Sequence, residues 1–236
     1  MGAVFKREMK TYFTSPIAYI FITAFFLYTG NYFVNINMAY GSTDTSYIFT
    51  SVFTIMMILI PLMTMRLFSE EKKQRTDQCL LTAPISLAGI VAGKFFAALC
   101  VFLCAISVYI PYIVVLHTLA GTLEWATIIG TITALILLGA SFISIGIFVS
   151  SLTESQIVAA IISFVVIMFF YMLDLLAGSV SNEFISSIMK ALAFYTRYTE
   201  FASGIFNIGS IVFFLSVIFI FNFLTVRVLE KRRWAD

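Results

Sequence analysis

Charged side chains are scarce in this sequence. Of its 236 residues, 61% are hydrophobic and only 11% are charged, whereas soluble globular domains carry about 25% charged residues. Several apolar runs exceed the roughly 18 residues that a helix needs to cross about 30 Å of hydrocarbon. A lipid-facing barrel does not fit, because its strands would alternate polar and apolar residues. The sequence therefore predicts an all-α integral membrane protein.

Residues that carry chemistry are also few. The only histidine, His117, lies at the end of an apolar run, which favours a structural interfacial role over catalysis. The three cysteines lack a ligand-type spacing to histidine or carboxylates, which favours packing. Gly89-x-x-x-Gly93-Lys94 is too short for a phosphate loop and lacks the following Ser or Thr. With no basic face interleaved with aromatic residues, we expect no catalytic, metal, cofactor or nucleic-acid site in this chain.

Six apolar runs predict six membrane spans, at about 16–36, 47–65, 90–116, 125–150, 156–176 and 209–226. An even number of spans places both termini on one side. The two tails and residues 66–94 hold twelve of the fourteen Lys and Arg residues, and only Lys190 and Arg197 lie on the other side. Because cytoplasmic loops are enriched in Lys and Arg, we predict that both termini and the 66–92 loop are cytoplasmic.

Residues 1–15 have the pattern of an amphipathic helix that lies in the headgroup layer. At helical spacing, apolar and basic residues fall on opposite faces: Phe5, Met9, Tyr12 and Phe13 on one face, and Lys6, Arg7 and Lys10 on the other. Such a helix turns its cations towards anionic lipid. A merely solvated tail is the alternative.

The loop at residues 66–92 is the most charge-dense part of the chain, with six charged residues among positions 70–77. Ser69 is predicted to cap a helix of about three turns, with Glu70 and Glu71 in its first turn and Pro84 as its stop. An ordinary solvated loop is the alternative. Because the loop lies in water between two spans, it is the natural place for a soluble partner to act.

Small residues predict where helices approach closely. Span four carries Gly139, Ser141, Ser144 and Gly146, and span three opens with Gly89 and Gly93. Pro61 is predicted to kink span two just before the charged loop.

Residues 177–207 form the longest predicted segment on the outer side. Phe184, Ile185, Ile188, Met189 and Leu192 make an apolar stripe at helical spacing. A second short helix around 197–203 is predicted to end at Gly204. These helices would lie on the outer surface or dip partway into the membrane.

Ionisable groups are missing from the middle of the predicted spans. Glu154 and Asp174 lie at span ends, and no internal repeat is visible, which counts against an ion-coupled carrier. If the protein moves a substrate, we expect the energy to arrive from outside, through the cytoplasmic loop.

One continuous motif in that loop resembles a known family. Arg66-Leu-Phe-Ser-Glu-Glu-Lys-Lys-Gln-Arg-Thr-Asp-Gln-Cys-Leu-Leu-Thr-Ala-Pro-Ile-Ser, followed by Gly93-Lys94, is similar to the signature of ABC-2 type transporter permeases. It resembles most the gliding-motility-associated and nitrous-oxide-reductase-maturation permease branch. The usual pattern is Glu-Glu-Lys-x-x-Gly-Thr-x-(acid)-x-Leu-Leu-x-x-Pro, whereas here Arg75 replaces the glycine and Gln78 follows Asp77. The resemblance covers the whole chain, from Ser15-Pro16 to the closing Arg232-Arg233-Trp234.

The resemblance implies a single transmembrane domain over residues 1–236 that works with other subunits. These are a second permease chain, identical or related, and two cytoplasmic ABC ATPase subunits, which bind the ATP and Mg. The resemblance also implies a coupling helix that docks into the ATPase, carried by Glu70, Glu71, Lys72, Arg75, Thr76, Asp77, Leu80, Leu81 and Pro84. The N-terminal helix, with Phe5, Lys6, Arg7 and Lys10, would be the second contact.

On the outer side the resemblance implies re-entrant helices between spans five and six, at Glu183–Gly204. The outer gate would then consist of Glu183, Phe184, Ile188, Arg197, Tyr198, Glu200 and Phe201. The function implied is the permease subunit of an ATP-driven exporter, or of a related machine that uses ATP to act on the outer face, in the bacterial cytoplasmic (inner) membrane. The chain would have no ATPase site of its own. The substrate class (lipid, peptide, ion or drug) and an outer-face accessory protein stay open. A membrane scaffold or sensor, and a channel or ion-coupled carrier, are the alternatives.

Overall fold

The computed structural model describes residues 1–39, 46–76, 85–120, 125–178 and 182–233. All regular structure in these residues is helical. Six segments are long and apolar enough to cross a membrane: Pro16–Met38, Ser51–Lys73, Leu87–Thr118, Trp125–Leu152, Gln156–Ala177 and Ile208–Arg233. They confirm the predicted all-α class and the six spans. Residues 40–45 and 121–124, which connect predicted spans, and Trp234 lie outside the described residues.

The described residues form helices with the following bounds, in chain order: α1 (Gly2–Thr14), α2 (Pro16–Tyr32, continued by a π-helical turn at Phe33–Met38), α3 (Ser46–Thr64), α4 (Arg66–Lys73), α5 (Leu87–Ile106), α6 (Tyr109–Ala120), α7 (Trp125–Leu152), α8 (Gln156–Ala177), α9 (Glu183–Leu192), α10 (Tyr195–Ala202) and α11 (Ile208–Arg233).

Helix α7 is the centre of the bundle. In its most apolar stretch 72% of the residues are buried, against 17% in α8 and 11% in α11. A Cβ atom added at Gly139 would lie 2.1 Å from Cε1 of Phe102, and one added at Gly146 would lie 2.1 Å from Oγ1 of Thr64. Helices α5 and α3 therefore approach α7 to distances that only glycine allows, which confirms the predicted close packing of this span.

The third span is interrupted, whereas the sequence predicted a single span over 90–116. Helix α5 ends at Ile106, Ser107 and Val108 form a turn, and α6 begins at Tyr109. Pro111 explains the interruption, because proline has no N–H for the carbonyl four residues earlier and its ring clashes with that carbonyl. The carbonyl of Ser107 accepts instead from the N–H of Ile110 at 3.1 Å.

The predicted start of the loop helix is wrong. Helix α4 begins at Arg66, directly after a turn at Met65, so Glu70 and Glu71 lie in its second half and not in its first turn. Ser69 is buried, and its hydroxyl donates to the carbonyl of Met65. The helix has eight residues, about two turns where three were predicted, and ends at Lys73. Asp77, Leu80, Leu81 and Pro84 lie outside the described residues.

Two short helices precede the last span, as predicted. Helix α9 buries none of its side chains, whereas α10 places Tyr198 and Phe201 in the core at 0% exposure. Gly204 follows α10 with φ +77°, a left-handed conformation that glycine adopts at little cost. The depth of these helices in the membrane stays a prediction.

Candidate functional site

At one end of the bundle, charged side chains from three helices converge on Lys94. This lysine lies on α5 and is only 1% exposed. Its ammonium lies 3.0 Å from Oε1 of Glu8 on α1 and 3.1 Å from Oε2 of Glu71 on α4. It also donates to the carbonyl of Leu67 at 2.6 Å and lies 4.9 Å from the centre of the Phe68 ring. The contact to Glu71 is an ion pair without hydrogen-bond geometry. One buried cation therefore joins α1, α4 and α5.

Arg7 completes this group, which we call the Lys94 cluster (Arg7, Glu8, Glu71 and Lys94). Its Nη2 lies 2.7 Å from Oε1 of Glu8 and also donates to Glu71. Arg7 therefore pairs with two carboxylates, while 49% of its side chain is exposed. The contact of the α1 cations with lipid stays a prediction. The inner face of α1 consists of Val4, Glu8 and Tyr12; Phe5 and Met9 are half-buried, and Lys6, Lys10 and Phe13 are exposed.

In the Lys94 cluster, neighbouring charges stabilise the ionised forms of Glu8 and Arg7. Burial by itself raises the pKa of Glu8, but the attraction of Lys94 and Arg7 outweighs it, and the pKa lies below its ordinary value of 4.5. Burial by itself lowers the pKa of Arg7, and its two carboxylate neighbours raise it above the usual value. Taking such ions out of water costs several kcal/mol per ion, which only close, well-directed partners offset. The buried charges of the cluster are therefore stable only when α1 and α4 pack in the arrangement that brings these side chains together.

Close backbone approach supports this arrangement. A Cβ atom at Gly93 would lie 3.0 Å from Cβ of Val4 and 3.2 Å from the carbonyl oxygen of Met1. The predicted close contact at Gly93 is confirmed, and its partner is α1. Tyr12, at the other end of α1, donates its hydroxyl to the carbonyl of Met63 at 3.2 Å.

Helix α4 is also bonded to the central helix at both of its ends. The N–H groups of Phe68 and Ser69 donate to Oγ of Ser150 on α7, at 3.0 and 3.1 Å. The same hydroxyl donates to the carbonyl of Met65 at 3.0 Å. Near the other end, the ammonium of Lys72 donates to the carbonyl of Ser151, in the last turn of α7. Ser150 therefore does for α4 what a capping residue in its own sequence normally does.

The C-terminal end of α4 has the backbone conformation for which the family pattern has a glycine. Arg75 has φ +55°, in the left-handed region. The N–H of Arg75 donates to the carbonyl of Lys72 at 3.1 Å, and the N–H of Thr76 donates to that of Glu71 at 2.9 Å. This pair of bonds is the Schellman motif, whose left-handed residue is usually glycine. Arg75 stands where the family pattern has that glycine.

The residues predicted for ATPase coupling, so far as the structure describes them, divide into two groups. Glu71 and Lys72 point into the protein, and Glu70 pairs with Arg66 at 3.2 Å. Arg75 and Thr76 are exposed, together with Lys73 and Gln74. The exposed end of α4 is therefore the part that a partner could touch, while the inward side chains connect α4 to the bundle.

Sequence reasoning missed three residues of this site: Glu8, Lys94 and Ser150. Two of them carried a signal. Lys94 is a cation within an apolar run, and an ionisable residue in such a run is a functional candidate by default. Glu8 is the one acid in the basic N-terminal segment. Ser150 had no such signal, because its partners are 81 and 82 residues away in the sequence.

At the opposite end of the bundle, side-chain contacts order helix α10. Asp174 of α8 accepts from the N–H of Thr196 at 2.9 Å and from its hydroxyl at 2.5 Å. Glu200 accepts from the hydroxyl of Ser210 at 3.2 Å and from the amide of Asn207 at 3.3 Å.

The residues predicted for an outer gate fall into different environments. Tyr198 lies in the core, with its ring 5.7 Å from that of Phe53. The guanidinium of Arg197 lies 4.5 Å from the centre of the Phe213 ring. Phe201 is buried, Glu200 is half-buried, and Glu183, Phe184 and Ile188 are exposed. The gate itself stays a prediction.

These features define the class of the protein, which is a helical multi-pass membrane protein. At its charged end, hydrogen bonds connect the short helix α4 to the central helix α7. The chain belongs to the ABC-2 transporter family, because the model of the ABC-2 family transporter protein matches residues 3–232. No curated protein sequence matches it. Family membership confirms the resemblance seen in the loop motif, and the narrower branch stays a prediction. Within the described residues, no three His, Cys, Asp or Glu side chains are grouped to hold a metal ion.

Proposed function

We propose that this chain is the permease subunit of an ATP-driven exporter in the bacterial cytoplasmic membrane. In this proposal α1, α4 and both termini face the cytoplasm, and two separate ABC ATPase subunits bind and hydrolyse ATP. The distribution of Lys and Arg and the membership of the ABC-2 family support it. The observation that carries it is the bonding of α4 to three other helices.

The exposed end of α4 is where the ATPase subunit would push. Ser150 and the carbonyl of Ser151 bind α4 near its two ends, and Lys94 binds it to α1 and α5. These contacts would pass a displacement of α4 on to α7. Close-packed helix interfaces shift between discrete arrangements and do not deform continuously. The central span, which packs without clearance at Gly139 and Gly146, would thus transmit the movement across the membrane.

The exposed face of α8 is a candidate contact for a second permease chain. Large apolar side chains at four-residue spacing point away from the bundle: Ile157, Ile161, Val165 and Phe169 are each at least 57% exposed. Such a stripe faces lipid or another helix. We propose that α8 contributes to the contact with the second permease, whether that chain is identical or related.

Copurification of the full-length chain with candidate ATPase subunits in nanodiscs tests the proposal. Lys73→Glu with Gln74→Glu changes only exposed side chains of α4 and should weaken capture of the ATPase. Lys190→Glu, an exposed lysine at the opposite end, is the matched control and should not. Lys94→Met should leave the exposed end of α4 available for capture but reduce the part of ATP hydrolysis that depends on the presence of the permease. If no ATPase is captured, or if the α4 variant binds it as the wild type does, the exporter proposal fails.

A further inference from the structure

A groove runs between α5 and α11 on the outside of the bundle, at the same end as the Lys94 cluster. Its cavity measures about 530 Å³. The walls are apolar and include Val91, Phe95, Phe96, Leu215, Phe219 and Phe223. A second cavity of about 730 Å³ shares Ala88, Val226 and Glu230 with the first and extends to Arg233. Together they form one continuous groove from the membrane-embedded part of α11 to its basic end.

The groove lies on the membrane-facing side of the bundle, so its occupant would enter from the lipid bilayer. Both walls belong to membrane-spanning helices, so the groove opens sideways into hydrocarbon along most of its length. Phe219 is 71% exposed and Phe96 is 43% exposed. An occupant of these walls must therefore be an apolar chain that is soluble in the membrane.

One end of the groove is rich in basic residues, which favours an occupant with a negative charge. The last turns of α11 carry Arg227, Lys231, Arg232 and Arg233 against the single acid Glu230. Arg227 lines the groove, where its Nη1 lies 2.7 Å from Glu230 and its guanidinium lies 4.9 Å from the centre of the Phe223 ring. A guanidinium has five N–H donors and binds phosphate well. Arg227 lines the first cavity, Arg233 the second and Glu230 both, so two guanidinium groups and one carboxylate lie at the mouth of the apolar groove.

Asn222 adds an independent observation. It lines the groove, and its Oδ1 is buried with no hydrogen-bond partner, while its Nδ2 donates to the carbonyl of Ile218 at 2.8 Å. An unsatisfied acceptor in hydrocarbon is costly. Asn222 lies five residues before Arg227, about 7.5 Å deeper along the helix. This is the level of the ester groups of a phospholipid whose phosphate binds Arg227.

We propose that the groove binds an anionic glycerophospholipid, with one acyl chain between α5 and α11 and the phosphate between Arg227 and Arg233. The proposal rests on the proposed function only for assigning this end to the cytoplasmic leaflet. It requires no ATPase, so a failure here and a failure to capture an ATPase are separate results.

Native mass spectrometry of the full-length chain in detergent measures the binding directly. The chain is titrated with phosphatidylglycerol or with phosphatidylcholine of the same acyl chains, and phosphatidylglycerol should bind more tightly. Arg227→Gln and Arg233→Gln should each weaken phosphatidylglycerol binding about fivefold, the effect of roughly 1 kcal/mol per basic residue near an anionic lipid. Glu230→Gln should strengthen it, because it removes the one negative charge that lines the mouth.

Two further variants separate the groove from general surface attraction. Lys231→Gln removes an equal charge one residue beyond Glu230, at a side chain that lines neither cavity, and should change binding less than twofold. Ala92→Phe fills the groove and should weaken binding of both lipids. Equal affinity for the two lipids, or a Lys231→Gln effect as large as that of Arg227→Gln, would overturn the proposal. So would an Ala92→Phe variant that binds lipid normally. If Ala92→Phe instead shifts the ratio of monomer to dimer, a second copy of the chain occupies the groove and the lipid assignment is wrong.

Discussion

Replacing Glu8 with glutamine should release helix α1 from the charged end of the bundle. The substitution keeps the shape of the side chain and removes the charge that faces both Lys94 and Arg7. Because Lys94 is 1% exposed, it cannot recover this interaction from water. Removing one partner of a buried ion pair costs about 3–5 kcal/mol. Lys94 retains Glu71 and the carbonyl of Leu67, so we expect the lower end of that range, about 3 kcal/mol.

Hydrogen exchange of the amides in residues 2–14 measures this release in the purified full-length chain. A loss of about 3 kcal/mol corresponds to more than a hundredfold faster exchange when exchange occurs through opening of α1. Glu183→Gln, at an exposed acid in the opposite half of the chain, is the control and should leave exchange in α1 unchanged.

The double variant Glu8→Leu with Lys94→Met separates charge from packing. Replacing a buried ion pair by apolar residues of similar volume is often neutral, so the double variant should recover most of the protection that Glu8→Gln loses. Exchange within twofold of the wild type in Glu8→Gln would refute the reasoning. A double variant as unprotected as the single one would show that the loss does not come from an uncompensated charge on Lys94.

Four further outcomes follow from the same contacts. Ser150→Ala should destabilise α4 by about 1–2 kcal/mol, seen as faster amide exchange at its first turn, because two N–H groups lose their common acceptor. Arg75→Gly should raise the thermal stability by about 1 kcal/mol, since glycine adopts the left-handed conformation without a Cβ clash, and Arg75→Ala should bring no such gain. Gly146→Ala should lower the stability by about 1–3 kcal/mol, whereas Gly178→Ala, which meets no atom within 4 Å, should not. The stabilisation from Glu8 should be complete above its ordinary pKa of 4.5 and disappear as the pH falls through the lower pKa of the folded protein; a Glu8→Gln variant whose α1 exchange keeps the same acid dependence would contradict this.

Helix α4 shows how a local signal can mislead. Ser69 followed by two glutamates predicts a helix start, because serine is a favoured N-cap residue and acidic residues stabilise the first turn of a helix. The helix nevertheless begins four residues earlier, with Met65 in place of Ser69 as its N-cap residue, and Ser150 of α7 accepts the N–H groups of Phe68 and Ser69. With that cap supplied from another helix, the hydroxyl of Ser69 bonds back to Met65 instead. The end of the helix at Lys73 had no such local signal in this chain, because Arg75 occupies the position where the family pattern has a glycine.

The sequence by itself determined the number of spans, their approximate bounds and the position of the charged loop. Membrane crossing depends on the length and apolarity of one continuous segment, which are local properties. Only the tertiary structure decided which charges meet. Glu8 and Lys94 are 86 residues apart, and Ser69 and Ser150 are 81 apart. Whether such residues come within 3 Å depends on how whole helices pack, and on where glycines such as Gly93 let them approach. The contacts that join α4 to α1, α5 and α7 are therefore properties of the assembled bundle.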